Sequence, residues 1–375
     1  MHAPLIIGGG PAGAVAAAAI AGAGQPVTVI ERNTGPSDKV CGDFLSGGAI
    51  AALQTLGVDP LALGAMPVAT IRLIHRSTAA EAALPFPAAG LSRRCLDEAL
   101  LRIAAQRGAT IRRGAAVRSM ERTGMGFTMR IGSGEPLSAH AVFLATGKHD
   151  LRGLPRPPRA DGLLGLKMYF VLAPEQRAAL HGCVELILLN GGYAGLQAVE
   201  QDRAVLCMLV PSARYREADR NWNALLARLA AEAPLLRRRL AGAMPCLPQP
   251  LTIARTPYGH LYRAAPDMVP WLFRLGDQAC VVPSFAGDGI AIALHSGMMA
   301  ATAWLRGQDA AHYHAAFAQQ VRAPLRFASL LHLACRTETM QPLVLAAARS
   351  WPGVLRMAAS LTRVAHAEDS CRAAT

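Results

Sequence analysis

Three glycines, Gly8, Gly10 and Gly13, follow an apolar run, Leu5-Ile-Ile7, in the spacing Gly-x-Gly-x-x-Gly. That spacing serves phosphate binding: Gly8 permits a tight turn and Gly10 lets a pyrophosphate approach the backbone. Gly13 lets the next helix pack closely on the strand. Pro11 and Ala12 open that helix, expected through Ala23, and its first amides face the phosphates. A second strand, Pro26–Glu31, ends on an acid 18 residues beyond Gly13. About 20 is expected for a carboxylate that takes a ribose hydroxyl, and Arg32 stands beside it. Together these residues describe a dinucleotide site.

A second set lies far along the chain. Leu272–Asp277 reads as a strand ending in Gly276-Asp277, followed by Ala279–Pro283, then Ala286-Gly287-Asp288-Gly289-Ile290 and a small-residue helix, Ala291–Trp304. This arrangement resembles the second flavin fingerprint of glutathione-reductase-type FAD proteins. The resemblance implies that Asp277 binds a ribityl hydroxyl and that the Gly287–Ile290 amides face the pyrimidine edge of the isoalloxazine. There a helix start stabilises negative charge on reduced flavin. Two such sites 264 residues apart suit FAD and not NAD. Pro283 and Asp288 join the cofactor set, Asp288 chiefly as a turn residue at the helix start, with catalysis the lesser alternative.

Segments between the two fingerprints extend the pattern. Lys39-Val-Cys41-Gly42-Asp43 resembles the Lys-x-Cys-Gly-Asp segment of the geranylgeranyl reductase family, where it runs along the flavin. Arg93-Arg-Cys-Leu-Asp97, opening a helix through Ala105, resembles that superfamily's Arg-x-x-(Phe/Leu)-Asp, which implies an Arg93 contact with the FAD pyrophosphate. Ala109–Arg112 and Ala115–Val117 read as the strand bordering the adenine near Val117. Val142–Gly147, with Ala145, Thr146 and Gly147, reads as the strand returning beneath the cofactor. Gly192-Tyr193-Ala-Gly-Leu196 resembles that branch's Gly-Tyr-(Ala/Gly)-Trp segment, with glycine in place of tryptophan; Tyr193 is the substrate-facing candidate. The chain thus resembles the geranylgeranyl reductase-like branch of the FAD-dependent monooxygenase superfamily over most of residues 1–305.

A bound flavin supplies the hard chemical step, so few side chains are required. Cys41 is the catalytic candidate, either a flavin-contacting thiol or a small buried packer. Lys148 and His149 stand where hydroxylases of the superfamily carry Asp-Gly, and Thr146-Gly147 replaces that pair, which puts direct NADPH docking in doubt. His295 is expected in packing and not as a base. Three reactions fit the resemblance. Hydroxylation of a hydrophobic aromatic or polyketide-type substrate in secondary metabolism is preferred, with reduction of isoprenoid C=C bonds as the alternative. Halogenation is weakest, because no Trp-x-Trp-x-Ile-Pro segment is present. NAD(P)H, a reduced flavin or a ferredoxin would supply electrons. A flavin bound without turnover is the non-enzyme alternative, and the intact second fingerprint argues against it.

These residues demand an α/β architecture. A Rossmann-like FAD-binding domain is expected over 1–70, 90–155 and 255–305. A substrate domain with an inserted antiparallel β-sheet takes 71–89 and 156–254, entered through the Pro-rich stretch from Leu154 to Arg159. Its strands are Leu163–Leu172, Cys183–Leu189, Tyr193–Val199 and Ala204–Val210, joined by Ala69–Arg76, with a helix near Asn221–Ala233. C-terminal helices fill 306–375, including Tyr313–Ser329 and Gln341–Arg363. In Pro342–Arg363, arginines 349, 356 and 363 recur at a spacing of seven, on one face. That face could rest on a membrane, but a helix packed over the pocket with a solvated basic edge is the preferred reading.

The 375 residues, 52% hydrophobic, suffice for a FAD domain and a smaller partner. The first strand begins so near Met1 that no signal peptide is expected. Eight scattered cysteines without a Cys-x-x-Cys pair argue for reduced thiols in the cytoplasm and against a metal site. A net charge of +13 with only 5% aromatics argues against nucleic acid, while leaving acidic substrates, a carrier protein or a peripheral membrane surface open.

Overall fold

The computed structural model describes residues 3–364 except 125, 133, 158–161 and 264–267; the end of the Pro-rich exit, residues 158–159, lies outside the described residues. Five short strands make a parallel sheet in the order Leu272–Arg274, Val142–Leu144, Leu5–Ile7, Thr28–Ile30 and Thr110–Arg112. Ile6 sits between Phe143 and Val29 in register. The three inner strands are short and nearly all apolar, as strands covered on both faces require, whereas the edge strand Thr110–Arg112 is largely exposed. Helix Pro11–Gly22 covers one face, and its alanines let helix Gly289–Leu305 pack against it. Leu272–Arg274 therefore brings the distal fingerprint beside the strand that precedes Ala145, and both fingerprints open at one edge.

The expected adenine strand is divided. Thr110–Arg112 closes the parallel sheet, whereas Val117–Thr123 starts a separate antiparallel meander with Gly126–Ile131 and Leu137–Ala139. The turn at Gly114, with φ +67°, separates the two.

The large sheet has nine strands, built around Leu163–Val171, Cys183–Leu189, Gly192–Val199, Arg203–Pro211, Met66–His75 and Thr78–Gly90. It is antiparallel except where Met66–His75 lies parallel to Cys183–Leu189. The exception follows from topology: Met66–Gly90 is a hairpin from an earlier part of the chain that joins the later strands at their edge. Helix Trp222–Glu232 covers the far face through Trp222, Leu225 and Leu229.

Three helices follow: Ala310–Arg336, Gln341–Ser350 and Gly353–Leu361. The single helix expected over Gln341–Arg363 is broken at Trp351-Pro352, since proline disfavours helical backbone in the residue before it. The arginine stripe is broken with it. Arg349 and Arg356 are exposed, while Arg363 turns inward. Among the described residues no helix is long and apolar enough to cross a membrane.

Candidate active site

Two cavities open at the carboxyl ends of the parallel strands and run into each other. Gly10, Val40, Arg93, Gly147, Lys148 and Asp277 line both. The outer cavity, about 480 Å³, is bordered by Gly8–Gly10, Glu31, Arg32, Val117 and Thr146. Gly8 has φ +107°, and a Cβ there would lie 2.3 Å from the Ala145 carbonyl oxygen. A Cβ on Gly13 would lie 2.0 Å from the Gly8 carbonyl oxygen. Close packing of the chain on itself demands both glycines. A Cβ on Gly10 would meet only the Arg93 guanidinium, at 3.3 Å, so its bareness faces the cleft.

The carboxylate of Glu31 is fixed in advance. It accepts from the Gly9 amide at 2.8 Å and from the Asn33 amide at 2.9 Å. Arg93 holds Asp97 through two bonds, at 2.7 and 2.8 Å. Arg32 donates to His149 Nε2 at 2.9 Å. Partial burial, with the cations Arg32, Lys39, Lys148 and Arg156 nearby, lowers the His149 pKa below its ordinary value. The groove thus offers a carboxylate at one end, helix-start amides in the middle and an apolar chamber beyond. An extended dinucleotide with a flat aromatic end, such as FAD, fits this order of groups.

The inner chamber, about 260 Å³, is walled by Ile71, Leu73, Leu84, Val184, Leu186 and Met208. Its polar groups are few. Tyr193 shares a hydrogen bond with Ser284 Oγ at 2.5 Å, and burial holds its phenol pKa well above the usual value. Gln197 donates from Nε2 to the Gly42 carbonyl at 2.9 Å, yet its Oε1 has no partner among the described residues although the residue is only 2% exposed. Cys41 lines the chamber, and its sulfur accepts from the Asp43 amide at 3.4 Å.

The chain contains only three lysines among 38 basic residues, and all three meet at the segment 39–43. Lys148 Nζ donates to the Val40 carbonyl at 3.0 Å and lies 3.8 Å from Asp277. Burial opposes its charge, but Asp277, Tyr258 and Cys41 together outweigh this and raise its pKa. Lys167 is fully buried and donates to the Lys39 carbonyl at 3.0 Å and to Asp43 at 2.6 Å. Tyr169 donates to the same carboxylate oxygen of Asp43 at 2.7 Å. Burial raises the Asp43 pKa despite the neighbouring ammonium. The backbone of Asp43 is left-handed, with φ +57°, a strained geometry that these contacts over-determine. A compact ammonium can point at one carbonyl from within a core where a forked guanidinium cannot.

Most of the expected residues converge. Gly10, Pro11, Ala12, Cys41, Gly42, Gly276, Asp277, Gly287, Gly289 and Ile290 line the inner chamber, with Tyr193 opposite. Asp288 stands at the start of helix Gly289–Leu305. Its buried carboxylate accepts from Ser46 Oγ at 2.8 Å, Arg363 at 3.0 Å and the Val364 amide at 3.2 Å, and it does not line the chamber. It anchors the C-terminal segment to the helix start. Pro283 sits between the lining residues Val282 and Ser284 without lining the chamber itself, and His295 pairs with Gln320 on the neighbouring helix. Lys167 and Gln197 are not among the expected site residues, although a lysine inside the apolar run Leu163–Val171 signals a buried ion pair.

Residues 2–143 match the family model described as FAD binding domain. A 54-residue stretch is 48% identical to a menaquinone reductase of Mycolicibacterium smegmatis, covering 14% of this chain and 13% of that protein. The chain matches only about an eighth of the length of that curated relative. Among solved structures, the flavin-dependent brominase Bmp2 superposes with a TM-score of 0.78 at 18% identity, over 96% of this chain and 93% of that one. A four-substitution mutant of P. aeruginosa PqsL gives 0.73 at 18% identity, over 89% and 96%. Residues 2–143 thus form a FAD binding domain, and the whole chain shares the fold of these flavoprotein structures, with both fingerprints at one sheet edge.

Proposed function

We propose that the protein is an FAD-dependent monooxygenase that hydroxylates a hydrophobic aromatic or polyketide-type substrate carrying a hydrogen-bond donor. The observation behind this reading is the unmet acceptor of Gln197 in a chamber whose walls are mostly apolar. A phenolic hydroxyl would satisfy it, whereas a hydrocarbon polyene would leave it unpaired at a cost of about 1–3 kcal/mol. Bound FAD supplies the redox step, fed by NAD(P)H, a reduced flavin or a ferredoxin. The chain's own residues hold and shield the reactants. Glu31, Arg93 and Asp277 seat the cofactor, the lysine-held segment 39–43 supports its inner end, and the chamber walls exclude water. Reduction of C=C bonds is the second reading, favoured by the local identity to a menaquinone reductase and by the Lys39–Asp43 resemblance. In that reading the Cys41 thiol positions or protonates an alkene carbon.

The test is oxygen incorporation with a panel of phenolic substrates. Gln197→Leu should raise KM about tenfold with FAD content unchanged, the loss of one hydrogen bond. Cys41→Ser should alter turnover less than about threefold, under ~1 kcal/mol in barrier. A loss beyond about a hundredfold in Cys41→Ser, with full FAD and anaerobic reoxidation by an unsaturated prenyl substrate, would select the reductase reading.

A further inference from the structure

Ten large hydrophobic side chains among the described residues are strongly exposed, and seven of them lie between Leu330 and Leu361. Leu330, Leu333, Leu343 and Trp351 are each more than 60% exposed, so this is a face and not a scatter of single residues. It belongs to the last three helices, which pack against one another. Their opposite sides carry Leu331, Cys335, Val344, Ala348 and Leu355, all lining the inner chamber. The helices are therefore apolar on both sides, one side toward the chamber and the other toward solvent. Four arginines, 326, 336, 349 and 356, accompany a single acid, Glu338, between residues 326 and 361.

We propose that this outer face docks on an anionic lipid surface. Trp351 and the leucines would enter the headgroup boundary, with Arg326, Arg349 and Arg356 on the lipid phosphates. Amphipathic helices bind membranes by this combination of buried apolar area and basic flanks, and tryptophan is at home at that depth. A second copy of the chain is a poorer occupant. In a twofold pair the same patch meets itself, so two basic patches with a single acid each would oppose one another. The inference holds whichever reaction the flavin supports.

The test uses the full-length holoprotein and co-sedimentation with vesicles of equal parts phosphatidylglycerol and phosphatidylcholine, against pure phosphatidylcholine. Wild type should pellet with the anionic vesicles and be released as salt rises. The variant Leu343→Ser/Trp351→Ser/Met357→Ser should lower the bound fraction about tenfold or more, with FAD content unchanged. Arg349→Glu/Arg356→Glu should abolish the preference for phosphatidylglycerol. Should the triple variant fail to fold, quenching of wild-type tryptophan fluorescence by brominated lipid in the anionic vesicles replaces it, and quenching is expected. Wild type left in the supernatant, an unquenched spectrum, or triple-variant binding equal to wild type would overturn the proposal. So would a wild-type dimer that the triple variant converts to monomer.

Discussion

A glycine can be required by its own chain or by what the chain binds, and Gly13 and Gly10 separate the two cases. A side chain on Gly13 would collide with the Gly8 carbonyl, whereas one on Gly10 would reach into the cleft with φ at −73°, a value any residue adopts. Gly10→Val should therefore fold with nearly wild-type thermal stability as apoprotein, yet retain less than about a tenth of the FAD on purification. Absorbance near the flavin bands against protein concentration measures this, and full FAD content would refute the site. Residues of this kind are legible in sequence because backbone geometry forces their identity. Gln197 and Lys167 are not. Each stands in an alternating or apolar strand, and only pairing across the fold brings Gln197 to Gly42 and Lys167 to Asp43.

At the scale of elements, the sheet strands and the fingerprint helices were readable from apolar runs and punctuating glycines. Two features were not. The parallel pairing of Met66–His75 with Cys183–Leu189 joins segments more than a hundred residues apart, and local pattern carries no sign of it. The inward turn of Arg363 depends on Asp288, which looks like an ordinary helix-start residue. That contact gives the C-terminal segment its attachment beside the chamber. Asp288→Ala would remove the acceptor of Ser46, Arg363 and Val364 together, leaving a largely buried guanidinium without its carboxylate. The cost should be about 3 kcal/mol, with faster amide exchange over residues 353–364 and FAD content little changed. Exchange at the wild-type rate would mean that the apolar contacts alone hold the segment.

For the whole molecule, acid is the expected weakness. Burial, with Arg156 and Arg274 close by, pushes the His260 pKa down to about 4. Burial and Arg274 push His314 down to about 3. Among the described residues neither His260 Nε2 nor His314 Nδ1 has a hydrogen-bond partner. Both imidazoles titrate near 6.5 once unfolded, so the unfolded chain gains protons first as pH falls. Their contribution to stability is complete above about pH 6.5 and is lost as pH falls toward the folded values. By about pH 5 each should cost roughly 1–2 kcal/mol, lowering Tm by several degrees in scanning fluorimetry. His260→Gln/His314→Gln should flatten that slope, and an unchanged slope would assign the acid sensitivity elsewhere.

The scarcity of lysine has a practical consequence. With Lys39, Lys148 and Lys167 as the sole side-chain amines, all gathered at one segment, acylating reagents have almost nowhere else to react. Lys39 and Lys148 border the cleft and are partly accessible, whereas Lys167 is sealed. The ratio of acetylated Lys39 and Lys148 to unmodified peptide, read by mass spectrometry, should fall as cofactor is added and stay low when it is held. The protein thus carries a built-in footprint of its own cofactor occupancy, readable in a crude mixture without colour, label or turnover.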